Sequence, residues 1–230
     1  MTTETAVKAL LTAFAALLMS ACVTSPPATS YDGLTLVPDT AFGEVYRRPG
    51  VDLASYGALG LEGCSVAFRN NWLRDQNSSR MDLSSRITQK DVDRIKDALS
   101  AACDKHFRAA LEQAPPYQLT DSFDGGEAVL VLRPAIINLD ISAPDKLTPG
   151  ITRTYTTDAG EMTLLLEGLD GTTGEILFRV VDRRRAGDTV RMQWTNSVTN
   201  QANANRILKR WAGQLRKGLD QVRAPGHSAI

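Results

Sequence analysis

The stretch Glu161–Arg185, EMTLLLEGLDGTTGEILFRVVDRRR, carries the strongest local folding signal in the chain. Two strand-like apolar segments, Met162–Leu169 and Glu175–Asp182, flank the short polar run Asp170–Gly174. The two glycines of this run can adopt the positive φ angles that hairpin turns require. The stretch therefore predicts an antiparallel β-hairpin.

Two further strand-like segments precede the hairpin. Ala128–Ile141 has apolar runs on both sides of Pro134, which predicts a strand bent or broken at that proline. Tyr56–Phe68 reads as a glycine-rich first strand, and the polar segment Asn70–Arg86 after it as a long loop.

Two helices complete the pattern. Thr88 and Asp91 form a capping-box-like start for a helix that runs to Gln113 and ends before two prolines. A second helix ends near Ala224. Apolar residues recur at spacings of three and four in both helices, which predicts one buried stripe on each. The stripes contain Val92, Ile95, Leu99, Ala102, Cys103, His106, Phe107, Ala110 and Leu111 in the first helix, and Ile207, Leu208, Trp211, Leu215, Leu219 and Val222 in the second.

These elements predict an α+β fold. We expect a small, mainly antiparallel sheet with two amphipathic helices packed on one face, in the order β-α-β-β-β-α. The domain would span residues 56–224, with a disordered tail at 225–230. Residues 22–55, which contain only short apolar runs, would form a tether and an extended, partly docked arm.

The first 22 residues indicate an exported protein. The apolar run Ala9–Leu18 is too short for a membrane-spanning helix, but it has the length of a signal-peptide core. Met19–Cys22 then resembles a bacterial lipobox, in which cleavage precedes a cysteine that carries lipid. We therefore predict a signal peptide at 1–21 and acylation of Cys22. An ordinary cleaved signal, with Cys22 paired elsewhere, remains the alternative.

The charge balance excludes one class of partner. The chain has 26 basic and 26 acidic side chains, and the predicted signal peptide removes one of each. A neutral protein has no general attraction to nucleic acid, so we expect none as a partner. Beyond the lipid anchor, an envelope protein is the partner we would expect.

Cys64 and Cys103 are the two cysteines left after Cys22. In an oxidising compartment we expect them to form a disulfide, which would contribute roughly 4 kcal/mol by the chain-entropy estimate. The alternative is a metal site that adds His106, one helical turn after Cys103, but the chain contains no CxxC or HExxH. We favour the disulfide, with His106 as a packed or half-exposed helix residue and no bound metal.

Several motifs together resemble one family. They are YDGL (31–34), RPGVDLASYGAL (48–59), ITQKDVDRIKDAL (87–99), DGTTGEILFRVVDRR (170–184) and WAGQLRKGLD (211–220). With the lipobox, they make the chain similar to an uncharacterised bacterial lipoprotein family, domain of unknown function 3313, over nearly the whole mature length. The resemblance implies a lipoprotein but no activity.

No catalytic motif is visible in the sequence. The chain has two histidines, His106 and His227, and contains no GxSxG, P-loop or GxGxxG. Asp170 and Glu175 could be paired across the hairpin turn, but acids in turns mostly support the backbone. We predict no cofactor and no catalytic residue.

Two kinds of residue are candidates for partner binding. The basic run at the hairpin end contains Arg184, and the last helix is rich in basic residues that include Arg210 and Lys217. These could contact an acidic partner or lipid phosphates, although a solvated face is the commoner explanation. Trp72 and Trp194 lie in polar segments, where they could cover the sheet or anchor a partner.

The sequence therefore predicts a lipid-anchored outer-membrane protein with one domain on the periplasmic side. Val23, not aspartate, follows Cys22, which by resemblance to sorted lipoproteins favours the outer membrane. We expect a non-catalytic binding or structural component of the cell envelope. The alternative is a small-ligand-binding protein or cell-wall-active enzyme whose site is not visible in the sequence.

Overall fold

The computed structural model describes residues 28–78, 80–123, 128–141, 155–156, 160–185, 193–194 and 197–224. They form an α+β fold with an eight-stranded, mostly antiparallel sheet. The strands are β1 Thr35–Val37, β2 Glu44–Arg47, β3 Ala58–Leu61, β4 Ser65–Phe68, β5 Leu119–Thr120, β6 Val129–Asp140, β7 Tyr155–Thr156, β8 Glu161–Asp170, β9 Ile176–Arg185 and β10 Gln193–Trp194. The helices are α1 Trp72–Ser78, α2 Gln89–Leu111 and α3 Ser197–Arg223.

The sheet has the order β1-β2-β9-β8-β6-β3-β5, with β4 also paired to β6, and β7 pairs with β10 separately. The predicted hairpin is β8–β9, in which Glu161 lies opposite Arg185. Its turn contains Gly174 at a φ of 70°, as the sequence predicts.

Strand β6 is continuous at Pro134, so the predicted break there is wrong. Pro134 lies opposite Leu166 of β8. The carbonyl of Leu132 faces β3, where it accepts the Glu62 N–H at 2.9 Å. Because alternate residues point the same way, the nitrogen of Pro134 also faces that side, in the gap between the ends of β3 and β4. The irregularity of β6 lies near Asn138, whose φ is 51°.

Helices α2 and α3 lie side by side on one face of the sheet. The hydroxyl of Thr88 accepts the Asp91 N–H and the Asp91 carboxylate accepts the Thr88 N–H, so the predicted capping box is present. The shared core contains fully buried side chains from both helices and the sheet: Cys103, Phe107, Leu111, Leu208, Trp211, Leu132, Ile136, Leu164 and Leu166.

The structure contains more strands and helices than the sequence predicts. The predicted arm contributes β1 and β2, and β2 pairs with β9 from Glu44 opposite Val181 to Arg47 opposite Phe178. The predicted single strand at 56–68 is two strands, β3 and β4, which pair in turn with β6. The predicted loop at 70–86 contains helix α1. Within the described ranges, every helix is too short or too polar to cross a bilayer.

Candidate functional site

The Cys64–Cys103 disulfide is present, as predicted from the sequence. It joins the start of β4 to the buried face of α2, where the Ser100 hydroxyl also donates to the Cys64 carbonyl at 2.7 Å. Both sulfur atoms are used by this bridge, so in this structure the two cysteines do not offer thiolates to a metal. His106 is half-buried, and its Nε2 lies 2.9 Å from Oδ1 of Asn205 on α3.

Asp170 supports the hairpin turn through its carboxylate. Its carboxylate accepts the Tyr56 hydroxyl at 2.7 Å and the backbone N–H groups of Thr172 and Thr173 at 2.9 and 2.7 Å. The Thr173 N–H, followed by the Tyr56 hydroxyl, lowers the pKa of Asp170. Burial, followed by this hydrogen bond, raises the pKa of Tyr56 to about 12. Glu175 is engaged separately, 3.2 Å from Arg48.

An open cleft of about 380 Å³ lies between the end of α2 and the last turns of α3. Its floor is the ring of Tyr117, and the guanidinium carbons of Arg216 and Arg223 each lie 4.5 Å from the ring centre. The Tyr117 hydroxyl donates to Asp220 at 2.7 Å. Burial, with that bond second, raises the pKa of Tyr117 to about 12. The Tyr117 hydroxyl and Arg216 therefore share Asp220 as their acceptor, and Arg223 donates to the Tyr56 carbonyl outside the cleft.

Arg216 caps the C-terminal end of helix α2. The last carbonyls of a helix lack partners within the helix, and a cation near them is favourable. The Arg216 guanidinium donates to four carbonyls in and just after the last turn of α2, and to the Asp220 carboxylate. The carbonyls belong to Ala110 at 3.2 Å, Leu111 at 3.3 Å, Gln113 at 2.8 Å and Pro115 at 2.7 Å, and the Asp220 bond is 2.8 Å. Arg216 is therefore buried and does not belong to the exposed basic face of α3.

Replacing Arg216 with lysine is expected to lower the free energy of unfolding by about 2 kcal/mol. The ammonium group keeps the charge but cannot reproduce the planar fork that reaches four carbonyls and Asp220 at once. Urea unfolding of the variant would measure the loss. Lys217→Arg is the matched control, because Lys217 is exposed and the change should be nearly neutral. Equal stability of both variants would contradict the capping role.

The structure places Trp72 in the interior, although the sequence left it as a candidate partner anchor. It is 2 % exposed, stacks on Phe68 with ring centres 4.1 Å apart, and donates from Nε1 to the Ile141 carbonyl at 2.8 Å. The alternative that it packs back on the sheet is the one observed, since Phe68 belongs to β4. Trp194 lies in β10, and its side chain is outside the described part of the chain.

The candidate basic residues are in two different environments. Arg184 donates from Nε to Asp182 at 2.7 Å, and Asp182 is buried and also accepts Trp211 Nε1 at 2.6 Å. Arg184 is thus held within a network at the edge of the core. Arg210 and Lys217 are exposed on α3 and remain available to a partner.

Met81 and Leu83 form an exposed apolar tip that had no place among the candidate residues predicted from the sequence; with Tyr31 they are the large apolar side chains that lie exposed in the described part of the chain. The exposures of Met81 and Leu83 are 98 and 75 %. A polar framework holds the tip: Asn77 both donates to the Ile87 carbonyl and accepts its N–H, at 2.9 and 2.8 Å. Arg80 donates to the Ser85 carbonyl at 2.9 Å. The available signal was two apolar residues in a polar loop without periodic partners.

Two solved structures are similar to the chain at low identity. A PelC dodecamer from Paraburkholderia phytofirmans is 11 % identical, covers 75 % of this chain and 98 % of its own, and gives a TM-score of 0.36. XCC0632 from Xanthomonas campestris, assigned to DUF330, is 13 % identical, covers 86 % of this chain and 98 % of its own, and gives a TM-score of 0.30. Similarity at this level carries no argument about assembly or activity.

No curated protein sequence matches the chain significantly. Residues 24–215 match the family described as "Protein of unknown function (DUF3313)". This match spans most of the chain. It includes the motifs at 31–34, 48–59, 87–99 and 170–184 in full and the first half of the motif at 211–220, and it begins after the lipobox. The protein therefore belongs to the DUF3313 family.

Proposed function

We propose that the protein is a lipoprotein anchored through Cys22 to the periplasmic side of the outer membrane. The lipobox-like residues Met19–Cys22 follow an apolar run of signal-peptide length. The Cys64–Cys103 bridge supports export, because structural disulfides form in oxidising compartments and are rare in the cytosol.

The protein acts there as a non-catalytic binding component of the envelope. The observation that carries this proposal is the Met81–Leu83 tip, where two large apolar side chains are held in water by a hydrogen-bonded loop. A loop without a partner could bury them by collapsing onto the domain, whereas a bracing framework keeps them available. The partner that these side chains fit is an envelope protein with an apolar pocket.

The alternative, a small-ligand-binding protein or cell-wall-active enzyme, would use the cleft at Tyr117. That cleft offers few free polar groups, because the Arg216 guanidinium and the Tyr117 hydroxyl both donate to the Asp220 carboxylate. Among the residues that the structure describes, no group of three or more His, Cys, Asp and Glu side chains could hold a metal. No observation favours the enzyme over the binding component.

Replacing Cys22 with serine is expected to abolish incorporation of labelled palmitate and to release the protein from the membrane fraction. Several acyl chains give stable anchoring, because each buried methylene contributes about 0.8 kcal/mol. Metabolic labelling and fractionation of cells measure both effects. Serine at Cys64 is the control, since that cysteine is used by the disulfide and its loss should leave palmitate incorporation intact. Unchanged labelling of Cys22→Ser would refute the anchor.

In-cell photocrosslinking tests the binding surface. A photoreactive amino acid at Leu83 is expected to give a discrete crosslinked product, identifiable by mass spectrometry. The same residue at Lys217, which is exposed on the basic face of α3, is the matched control and should give none. A product from Lys217 alone would move the binding surface to the basic face. No product from either position would favour a structural role without a protein partner.

A further inference from the structure

The turn Ser30–Leu34 projects a tyrosine from the edge of the sheet. Tyr31 is 96 % exposed, whereas Leu34, three residues later, is fully buried. The Ser30 N–H donates to the Leu34 carbonyl at 2.8 Å, and the Gly33 N–H donates to the Ser30 carbonyl at 3.0 Å. Gly33 has a φ of 81°, which a side chain would strain. We call this segment the Tyr31 turn.

The Tyr31 turn is fixed to the domain by a charge network. Asp32 lies 2.7 Å from Arg179 of β9, which in turn lies 2.9 Å from Glu167 of β8. A hydrogen bond from the Ser30 hydroxyl, and then the Arg179 guanidinium, lower the pKa of Asp32. The Leu36 N–H also donates to the Ala28 carbonyl at 3.0 Å, so the chain is held to the sheet edge from Ala28 onward.

The chain between the predicted lipid attachment and this edge is short. Only Val23–Pro27 separate Cys22 from Ala28. Six residue steps span at most about 20 Å when fully extended. A folded domain of this size has a diameter of about 40 Å. The surface around Ala28 therefore stays within about 20 Å of the lipid attachment point in every orientation of the domain.

We propose that the Tyr31 turn rests in the headgroup layer of the membrane that holds the lipid anchor, with the ring of Tyr31 as an interfacial contact to phospholipid. The proposal rests on the acylation of Cys22 in the proposed function. Tyrosine suits this position, because its apolar ring and polar hydroxyl are both satisfied at the boundary between acyl chains and water.

Strand directions place the Met81–Leu83 tip at the other end of the sheet. The Arg48 N–H donates to the Leu177 carbonyl, so β1 begins and β2 ends beside the β8–β9 turn. Strand β4 runs with β6 away from that turn, and α1 and the Met81–Leu83 tip follow it. The 12 residues of β6 span about 40 Å. Contact at the Tyr31 turn thus leaves the tip facing the periplasm, where a protein partner could reach it.

Environment-sensitive labelling of the full-length, acylated protein tests this orientation. In separate variants, Tyr31→Cys and Met81→Cys, the new cysteine is the single reactive thiol, because Cys22 carries lipid and the other two cysteines form the disulfide. Each is labelled with the fluorophore NBD and reconstituted in vesicles of phosphatidylethanolamine with a minority of phosphatidylglycerol. Both native side chains are almost fully exposed, so the two sites are matched.

The fluorescence emission of NBD at position 31 is expected to shift to the blue in vesicles, relative to the same labelled protein without its lipid anchor in detergent-free buffer. A lipid that carries a nitroxide in its headgroup should quench this fluorescence. NBD at position 81 should show neither change. An emission spectrum typical of water-exposed NBD at both positions would overturn the proposal while leaving the anchor intact. A blue shift with quenching at position 81 alone would do the same. Failure of both variants to incorporate palmitate in cells would instead refute the proposed anchor, and with it the orientation.

Discussion

Replacing Trp211 with alanine is expected to lower the free energy of unfolding by about 3–5 kcal/mol. Trp211 is fully buried between α3 and the sheet, where its ring fills the centre of the shared core. Its Nε1 donates to Asp182 at 2.6 Å, so truncation both opens a cavity and removes a partner from a buried carboxylate. Urea unfolding followed by circular dichroism would measure the loss. A marginally stable domain could unfold altogether.

Two further variants separate the causes of that loss. Trp211→Phe keeps most of the ring volume but removes the donor to Asp182, and it should cost roughly 1–3 kcal/mol. Arg210→Ala, one residue away and exposed, should cost no more than about 0.5 kcal/mol. A loss for Trp211→Ala no larger than that for Arg210→Ala would mean that α3 does not pack on the sheet through this residue.

The parts of the fold that were predicted correctly are those with local signals. The turn residues of the hairpin lie directly between β8 and β9, and the capping residues of α2 lie in its first turn. Strands β1 and β2 have only three and four residues, and their stability comes from distant partners. Asp182 of β9, for example, accepts the Gly43 N–H at 3.0 Å across 139 residues of sequence. No local pattern could reveal that contact.

The candidate site was predicted less well, because exposure depends on tertiary contacts. Trp72 is a large aromatic residue in a polar segment and was therefore a candidate partner anchor, but it is buried, stacks on Phe68 and donates to the Ile141 carbonyl. Arg184 was predicted to belong to a basic surface, yet Asp182 holds its guanidinium group. Arg216 is one of the basic residues of the last helix, yet carbonyls at the end of α2 hold its guanidinium group. Met81 and Leu83, which are exposed, are smaller members of the same predicted loop, residues 70–86, that contains Trp72. Amino-acid type located the loop but could not tell which side chains face inward.

Replacing Cys64 with alanine is expected to lower the free energy of unfolding by about 4 kcal/mol under oxidising conditions. The bridge joins residues 39 apart in sequence. Without a cross-link over a loop of this length, the unfolded chain gains conformational entropy that stabilises it by roughly 4 kcal/mol. The native position of β4 should change little. The Ser100 hydroxyl still reaches the residue 64 carbonyl, and Asp104 still accepts its N–H, bonds of 2.7 and 2.8 Å.

Cys103→Ala and the double variant distinguish a cross-link from ordinary packing. Either single substitution removes the whole bridge, so all three variants should lose similar stability, apart from the volume change at each buried site. A reducing agent should destabilise the wild-type protein by a comparable amount and leave the three variants unaffected. Additive losses in the double variant, or a wild-type midpoint that reductant does not move, would mean that the two cysteines stabilise the fold by packing and not by the bond between them.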